Sequence, residues 1–483
     1  MTENTQRAFT VRFARLPQRG LLLGLSAPRV TCLALAVAVF IPSLFTAGTV
    51  GAAVTSPLWS GLVALAFVRW GGRPVIETLP TAGHYLVRRA TGQTKFRARP
   101  SKPRPAGTLA LPGDAASLRF LLDEKTGTAV LHDPHEQTLT VAALVHHPAY
   151  VLLSPEEQAR RVHGWGRALA TLAASGSGIR VQILEVSLPD AGRGITGWWQ
   201  LHRVKKPLGG EWAVRQYENL MRTAAPTAST HRTVIALSLD LRAARVHIRQ
   251  AGRGLRGAVA FLRQEMTSFE ASLRAADLRL ACWLDDAELA AALRGAYDPG
   301  FDSEQDIPCK LEEAGPMAVD ERWDHLRHDT AHSAVLWINE WPRVEAPPFF
   351  LHTLVFQPGI RKTISLTAQP IPADVAMRDI RKAKVEYATD AAQKARIGAM
   401  ADLSDSVEAS DVLDRERALI SGHADVRFTG LIAVTASSRD DLEAAVAEIA
   451  RAAIQSGCET RRLYGQQARA FTAAALPLAR KVN

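Results

Sequence analysis

Between Arg29 and Arg69 lie 39 consecutive residues without a charged side chain, and no other feature constrains this chain as tightly. One membrane-crossing helix needs roughly 20 apolar residues. The run is nearly twice that, with Gly48 and Gly51 near its middle. It predicts a two-helix hairpin, 30–47 and 52–68, turning at the glycines. Pro42 would kink the first helix, which membrane helices tolerate. Arg7, Arg12, Arg15, Arg19 and Arg29 precede the run, and Arg69, Arg73, Arg88, Arg89 and Lys95 follow it. Basic flanks favour the cytoplasmic side. An even number of spans puts both termini there, in the cytoplasmic membrane. Two other readings compete. A cleaved signal peptide with its apolar core at 30–45 leaves 58–68 unexplained. A helical hairpin buried in a soluble protein is the other.

Charge divides the chain. The net charge is +10 over 483 residues, yet the first 110 residues hold 14 Lys and Arg against 2 Asp and Glu. The remainder is close to neutral, so charge does not indicate a nucleic-acid groove on the large domain. Cys32, Cys282, Cys309 and Cys458 are far apart and form no CxxC pair. With Cys32 in the apolar run, an odd number remains, which argues against a disulfide framework and for a reducing compartment.

The expected division is a basic amino terminus (1–29), a transmembrane hairpin (30–69), a basic proline-rich linker (70–112), a first α+β unit (113–315) and a second (316–483). In the linker, "RARPSKPRPAG" suits an extended stretch near lipid headgroups. Beyond it strands and helices alternate. Strands are expected at 128–145 (a pair), 179–189, 233–241, 278–284, 334–342, 350–356, 362–372, 428–436 and 460–464. Helices are expected at 155–174, capped by Ser154, and at 211–224, 258–275, 286–296, 438–455 and 466–475. A long helix at 373–401 would form an arm of roughly 40 Å. Strand–helix–strand–helix at 233–297 and again at 427–476 suggests duplicated split-βαβ, ferredoxin-like units: an α+β fold with helices on one face of a mostly antiparallel sheet.

Chemical motifs are scarce. No Gly-Lys dipeptide occurs, so there is no phosphate loop of the GxxxxGK[ST] type. Gly252, Gly254 and Gly257 spell GxGxxG, with Asp285 as a conceivable ribose acid, but arginines crowd the turn and a loop capping a helix is the simpler reading. "HLRHDTAH" places His325, His328 and His332 on one face if the segment is helical, a possible metal site; a solvated amphipathic helix is the simpler reading, since no HExxH motif or second ligand cluster supports a metal. No cofactor is indicated. "DPHEQ", His146–His147 and Ser175 with Ser177 have ordinary loop or strand readings. The Trp198–Trp199 pair suits a contact, the membrane surface or the core.

The most specific stretch is "RFTGLIAVTASSRDDLEAAVAEIARAAIQSGCETRRLYGQQARAFTAAALPLARKVN". It resembles the segment that precedes the motor in the large ATPases of type IV secretion (conjugation) systems, where a Gln-containing helix leads into a Leu-Pro-Leu run. "INEWPRVEAPPFFLHTLV" and the helix after Pro372 are similar to the same family's amino-terminal domain. The apolar hairpin resembles the small inner-membrane subunit that docks on it. The resemblance implies a non-catalytic membrane scaffold whose sequence stops where the motor would begin. Its implied partners are a separate P-loop secretion ATPase, other channel subunits, the lipid bilayer and further copies of the chain, with no direct nucleic-acid binding. The implied partner surface is Gln466, Gln467, Phe471, Leu476 and Leu478. The rival readings are a membrane-tethered metal-dependent hydrolase or nuclease using the three histidines, and a structural membrane protein without an ATPase partner.

Overall fold

Hydrophobic alternation organises thirteen strands into one antiparallel sheet. The computed structural model describes residues 13, 25–99, 101, 105–146, 150–189, 199, 202–203, 210–224, 229–301, 309–396 and 403–482. Thirteen strands order as β3-β10-β11-β12-β14-β13-β7-β8-β6-β5-β4, with β15 also pairing β12 and β9 also pairing β6. The strands are β3 (Lys95–Arg97), β4 (Arg119–Leu122), β5 (Ala129–Asp133), β6 (Thr138–His146), β7 (Arg180–Pro189), β8 (Ser229–Asp240), β9 (Arg279–Trp283), β10 (Ala318–Glu321), β11 (Leu326–His328), β12 (Ala331–Glu340), β13 (Arg361–Ile371), β14 (Asp425–Ala436) and β15 (Glu459–Arg462). A separate two-stranded ribbon pairs β1 (Arg69–Trp70) with β2 (Arg73–Pro74). The earlier and later strands meet where β7 pairs β13, from Lys362↔Ser187 to Ala368↔Val181.

Strand periodicity of two sends alternate side chains to opposite faces. Val234 and Ala236, Leu431 and Ala433, and Val335 point to one face, into a single core spanning the whole sheet. That face carries α8 (Asp286–Tyr297) and α13 (Gln467–Ala475). Their neighbours point to the other face, where two separate cores form. Ile235, Leu237 and Leu239 pack beneath α4 (Pro155–Ala174), α6 (Arg245–Gln250) and α7 (Gly254–Arg274). Ala334, Leu336 and Ile432 pack beneath α9 (His352–Val355) and α12 (Arg439–Gln455). The helix α5 (Gly210–Ala224) lies between β7 and β8 in the chain, and α10 (Ala373–Arg396) and α11 (Leu403–Ile420) lie between β13 and β14.

The apolar run forms α1 (Ala27–Val54) and α2 (Ser56–Phe67). Only α1 is long and apolar enough to cross a membrane among the described residues. Helical geometry breaks inside it at Ala47 and Gly48. Beyond the break the chain doubles back: Thr55 Oγ1 donates to Ser43 Oγ at 3.1 Å, and Phe40 meets Trp59 edge-on at 5.4 Å between centroids. Gly51 permits the close approach, since a Cβ there would lie 2.5 Å from the Ser43 carbonyl oxygen. Phe45 is 85% exposed and Val54 74%, which removes the reading of a hairpin buried in a soluble core.

Several expectations are corrected. The segment 70–112 is not only a linker: it holds β1, β2, β3 and the amphipathic α3 (Val75–Ala90), and Leu109 and Leu111 belong to the large core. The 350–356 stretch, apolar enough for a strand, is the short helix α9. The 325–332 stretch is not a helix but the β11–β12 hairpin, turning at Asp329 with φ of 43°. The arm is real to Arg396, about 36 Å by helical rise. Of its expected apolar stripe Ile380 is fully buried but Val385 is exposed, and α11 packs beside it through Lys384–Glu416. Trp198 and His147 lie outside the described residues.

Candidate functional site

The residues expected to meet a partner are in the core. Gln467 and Leu476 are 0% exposed, and Phe471 and Leu478 are also buried; only Gln466 is half-buried. The physical reason is a gap in strand pairing. β12 pairs β11 up to Ser333 and β15 from Leu336, which leaves Val335 between them. Gln467 fills that gap: its Oε1 accepts from Val335 N at 2.9 Å and its Nε2 donates to the Leu463 carbonyl at 2.7 Å. A buried amide is tolerated where its donors and acceptors are matched. α13 therefore lies flat on the sheet and offers none of these buried side chains to a partner.

Beyond α13 the chain clasps the β7–β13 seam. Gln182, fully buried on β7, donates through Nε2 to the Ala473 carbonyl at 2.8 Å and to Ser365 Oγ of β13 at 2.9 Å. Its Oε1 accepts from Ala479 N at 2.7 Å. Arg180 donates to the Ala479 carbonyl at 2.9 Å. Arg480 then pairs with Asp133, Nε to Oδ2 at 3.0 Å, both nearly inaccessible. Burial raises the Asp133 carboxyl, but the hydrogen bond and charge of Arg480 outweigh it and hold the group below its ordinary value. Lys481 reaches Gln369 of β13 at 2.5 Å.

The start of α13 is tied to α3, the helix that follows the apolar run. Glu321, 2% exposed on β10, pairs with Arg88 of α3 and accepts from Ala468 N at 3.2 Å, at the positive end of α13. Burial raises this carboxyl despite the opposing pull of Arg88. Glu77 of α3 accepts from Ser26 Oγ at 2.6 Å and lies 3.6 Å from Arg29. Polar ties thus join the mouth of the apolar run to the start of α3, and the end of α3 to the start of α13.

The three histidines do not converge. His328 is fully buried, and Phe471 lies over it at 5.0 Å. Its Nδ1 faces the Tyr297 carbonyl at 2.6 Å, which can only accept, so Nδ1 carries the proton. Nε2 then accepts from Ser333 Oγ at 2.7 Å, and Ser333 meets Thr435 Oγ1 at 2.7 Å. Burial pushes the imidazole down to about 4. Both ring nitrogens are used, so no lone pair is left for a metal. His325 and His332 do approach, at 5.4 Å between rings, but among Arg322, Arg327 and Arg439. His325 Nδ1 is held by Asp324 at 2.8 Å. Burial, then the neighbouring His325 and the charges of Arg327 and Arg439, lower His332. Among the described residues no group of three His, Cys, Asp or Glu could hold a metal ion.

One cluster gave no signal in the sequence, because its members come from three strands. Ser187 and Glu185 of β7, His231 and Thr233 of β8, and Lys362 of β13 sit on the face between the two smaller cores. Ser187 Oγ lies 3.3 Å from His231 Nδ1, and Glu185 Oε1 lies 3.2 Å from the same nitrogen. A serine–histidine relay needs nucleophile and carboxylate on opposite ring nitrogens; here both compete for one. Ser187 is also fully buried. Lys362, 1% exposed, donates to the Gln357 carbonyl at 2.7 Å, and burial lowers its amine to about 8. The cluster closes a polar gap between cores.

A cleft of about 540 Å³ opens beside the clasp, between the end of α8 and α13. Leu184, Val186, Phe301 and Pro477 line it. Arg361 donates to the Pro299 carbonyl at 3.0 Å and to Gly295, where the carbonyls at the end of α8 are electron-rich. Burial lowers this guanidinium to about 10, still a cation at neutral pH. The GxGxxG glycines form the α6–α7 turn, and Gly257 packs against the Ile248 carbonyl. Asp285 caps α8, accepting from Glu288 N at 2.8 Å, so its carboxylate is committed to the helix.

No protein-family model matches the chain, and no curated protein matches it.

Proposed function

We propose that this chain is a non-catalytic membrane scaffold of a type IV, conjugation-like secretion system, holding a separate ATPase at the cytoplasmic membrane face. The reading rests on the sequence resemblance and on one structural observation: both ends of the apolar run return to one place and are bolted to the sheet. Ser26 before α1 and Glu77 after α2 share a hydrogen bond of 2.6 Å. Further upstream, Phe13 stacks on Trp341 at 5.3 Å, and Trp341 belongs to the segment after β12. Residues before and after the run touching one another supports an even number of crossings. The break at Ala47–Gly48 divides the run into two helical legs of roughly 20 residues. Each would be about 30 Å long, the hydrocarbon thickness. We propose two spans with both termini on the cytoplasmic side.

The duplication is part of the same proposal. β4-β5-β6-α4-β7-α5-β8-α6/α7-β9-α8 is followed by β10-β11-β12-α9-β13-α10/α11-β14-α12-β15-α13. In each series the last strand returns to pair the third, β9 on β6 and β15 on β12. Two copies of one split-βαβ unit, joined through β7–β13, account for this order.

Mild-detergent purification of the tagged full-length chain from native membranes, with mass spectrometry of the co-purifying proteins, tests the function. Stoichiometric recovery of a P-loop ATPase is expected. A membrane-bound chain with no ATPase attached overturns the reading in favour of a purely structural role. Tightly bound metal in the pure chain, with hydrolase or nuclease activity lost in His328→Ala, would favour the metal-dependent rival.

A further inference from the structure

A pocket of about 390 Å³ opens where the end of α3 meets the β10–β11 turn, β12 and the start of α12. We infer that it is a binding site for a phosphate dianion, carried as a phosphomonoester or a diphosphate. The inference stands apart from the scaffold reading.

Converging cations are the first reason. Arg89 comes from α3, Arg322 from the β10–β11 turn, Arg327 from β11 and Arg439 from the start of α12. The fold thus gathers guanidiniums from four chain segments around one pocket. Asp324 is the one carboxylate that lines it among the described residues. That carboxylate is committed: Oδ1 faces His325 Nδ1 at 2.8 Å, and Oδ2 accepts from Arg439 at 3.2 Å. Asp320, outside the pocket, takes up Arg322 at 2.9 Å. Arg89 and Arg327 are both exposed, and their side chains meet no carboxylate or hydrogen-bond acceptor among the described residues. Two positive charges therefore stand at the rim without a counter-charge.

The base of the pocket is the second. His325 is 6% exposed and His332 is half-buried, with their rings 5.4 Å apart. The Nδ1 of His332 is buried and has no hydrogen-bond partner among the described residues. Such an orphaned atom is uncommon in a folded chain and points to a missing partner. The positive surroundings help to hold this imidazole below its ordinary value, after burial itself. The same surroundings repel a metal cation and attract an anion. A carboxylate offers two oxygens in one plane. A phosphate offers three in a tetrahedral spread, which suits donors arriving from several directions, and guanidinium–phosphate hydrogen bonds are among the strong ones. A soluble molecule or a lipid headgroup can carry that phosphate, because α3 is the helix that follows the apolar run.

Isothermal titration of inorganic diphosphate into the detergent-solubilised full chain, at physiological ionic strength, tests the site. Native mass spectrometry of the chain released from nanodiscs of equal phosphatidic acid and phosphatidylcholine tests the lipid source. Saturable binding of diphosphate at one site per chain is expected. Arg89→Gln and Arg327→Gln should each weaken it about tenfold, the loss of one charge-assisted hydrogen bond. Arg327→Lys should keep most of the affinity. Arg274→Gln, an exposed control on α7, should leave it unchanged. Retention of phosphatidic acid that falls in the Arg89 and Arg327 variants, with no diphosphate binding, would support the site and assign its phosphate to a lipid. Absence of both kinds of binding, or equal losses in the Arg89, Arg327 and Arg274 variants, overturns the site.

Discussion

The helices α8 and α13 occupy the same face of the sheet, each following a short strand that returns to pair an earlier one, yet their starts are held in opposite ways. α8 starts on a cap made by its neighbours in sequence, and distant residues, Arg361 and His328, tie only its last turn. Asp285 and Glu288 form a reciprocal capping box, and Leu289, Ala290 and Leu293 pack downward. α13 has no side-chain cap at Gln466. It is held from a distance by Glu321, Val335 and Gln182, residues roughly 130 to 290 positions away in the chain. A local helix can form early and lose one contact cheaply. A helix built on buried polar partners is expensive to disturb, because each lost partner strands another polar group away from water.

The sharpest way to break this contrast is to remove one member of a buried ion pair around α13. Glu321→Ala leaves Arg88 buried without its carboxylate, and Arg480→Ala leaves Asp133 likewise. Each should cost about 3–5 kcal/mol in denaturant unfolding of the detergent-solubilised full chain. A loss below about 1 kcal/mol would mean that the pair is in effect a surface contact. Gln467→Ala comes next. It strands the Val335 N–H and the Leu463 carbonyl, with an expected cost of about 1–3 kcal/mol and faster amide exchange at Val335.

A pH series follows. The His328 imidazole is held down to about 4 in the folded chain against an ordinary 6.5. Between those values the unfolded chain binds the extra proton. Stability should therefore fall as pH drops from about 6.5 to 4, by at most about 3 kcal/mol from this group. His328→Gln should flatten that part of the profile; an unchanged slope would assign it to other groups. The smallest effect should come from α8. Asp285→Ala removes one cap at about 1 kcal/mol, measured in the same unfolding assay. A cost equal to that of Glu321→Ala would erase the difference between the helices.

The same division explains what was legible in the sequence. Ser154 with Glu157, and Ser438 with Asp441, announce α4 and α12 because caps are local. β7, β8 and β14 were legible from alternating apolar residues. The histidine segment was misread because a period of three to four residues in "HLRHDTAH" mimics a helix face. The turn at Asp329 and pairing with β10 and β14 decide it, and those partners lie outside any local window. α9 was misread as a strand because seven mostly apolar residues fit either state. The most consequential error concerned Gln467 and Phe471. Glutamine on a helix ordinarily signals a wet face, and nothing within ten residues reveals an unpaired N–H at Val335. Ser187, Glu185, His231 and Lys362 were invisible for the same reason.

The proposed scaffold depends on the apolar run returning to the side it left. The direct measurement places one epitope tag at the amino terminus and another at the carboxy terminus of the full chain, and scores antibody access in inside-out and right-side-out membrane vesicles. Both tags are expected to be reached only in inside-out vesicles, as two spans and a shared Ser26–Glu77 junction require. Tags reached from opposite faces would mean a single crossing, and would contradict the hairpin and the scaffold built on it.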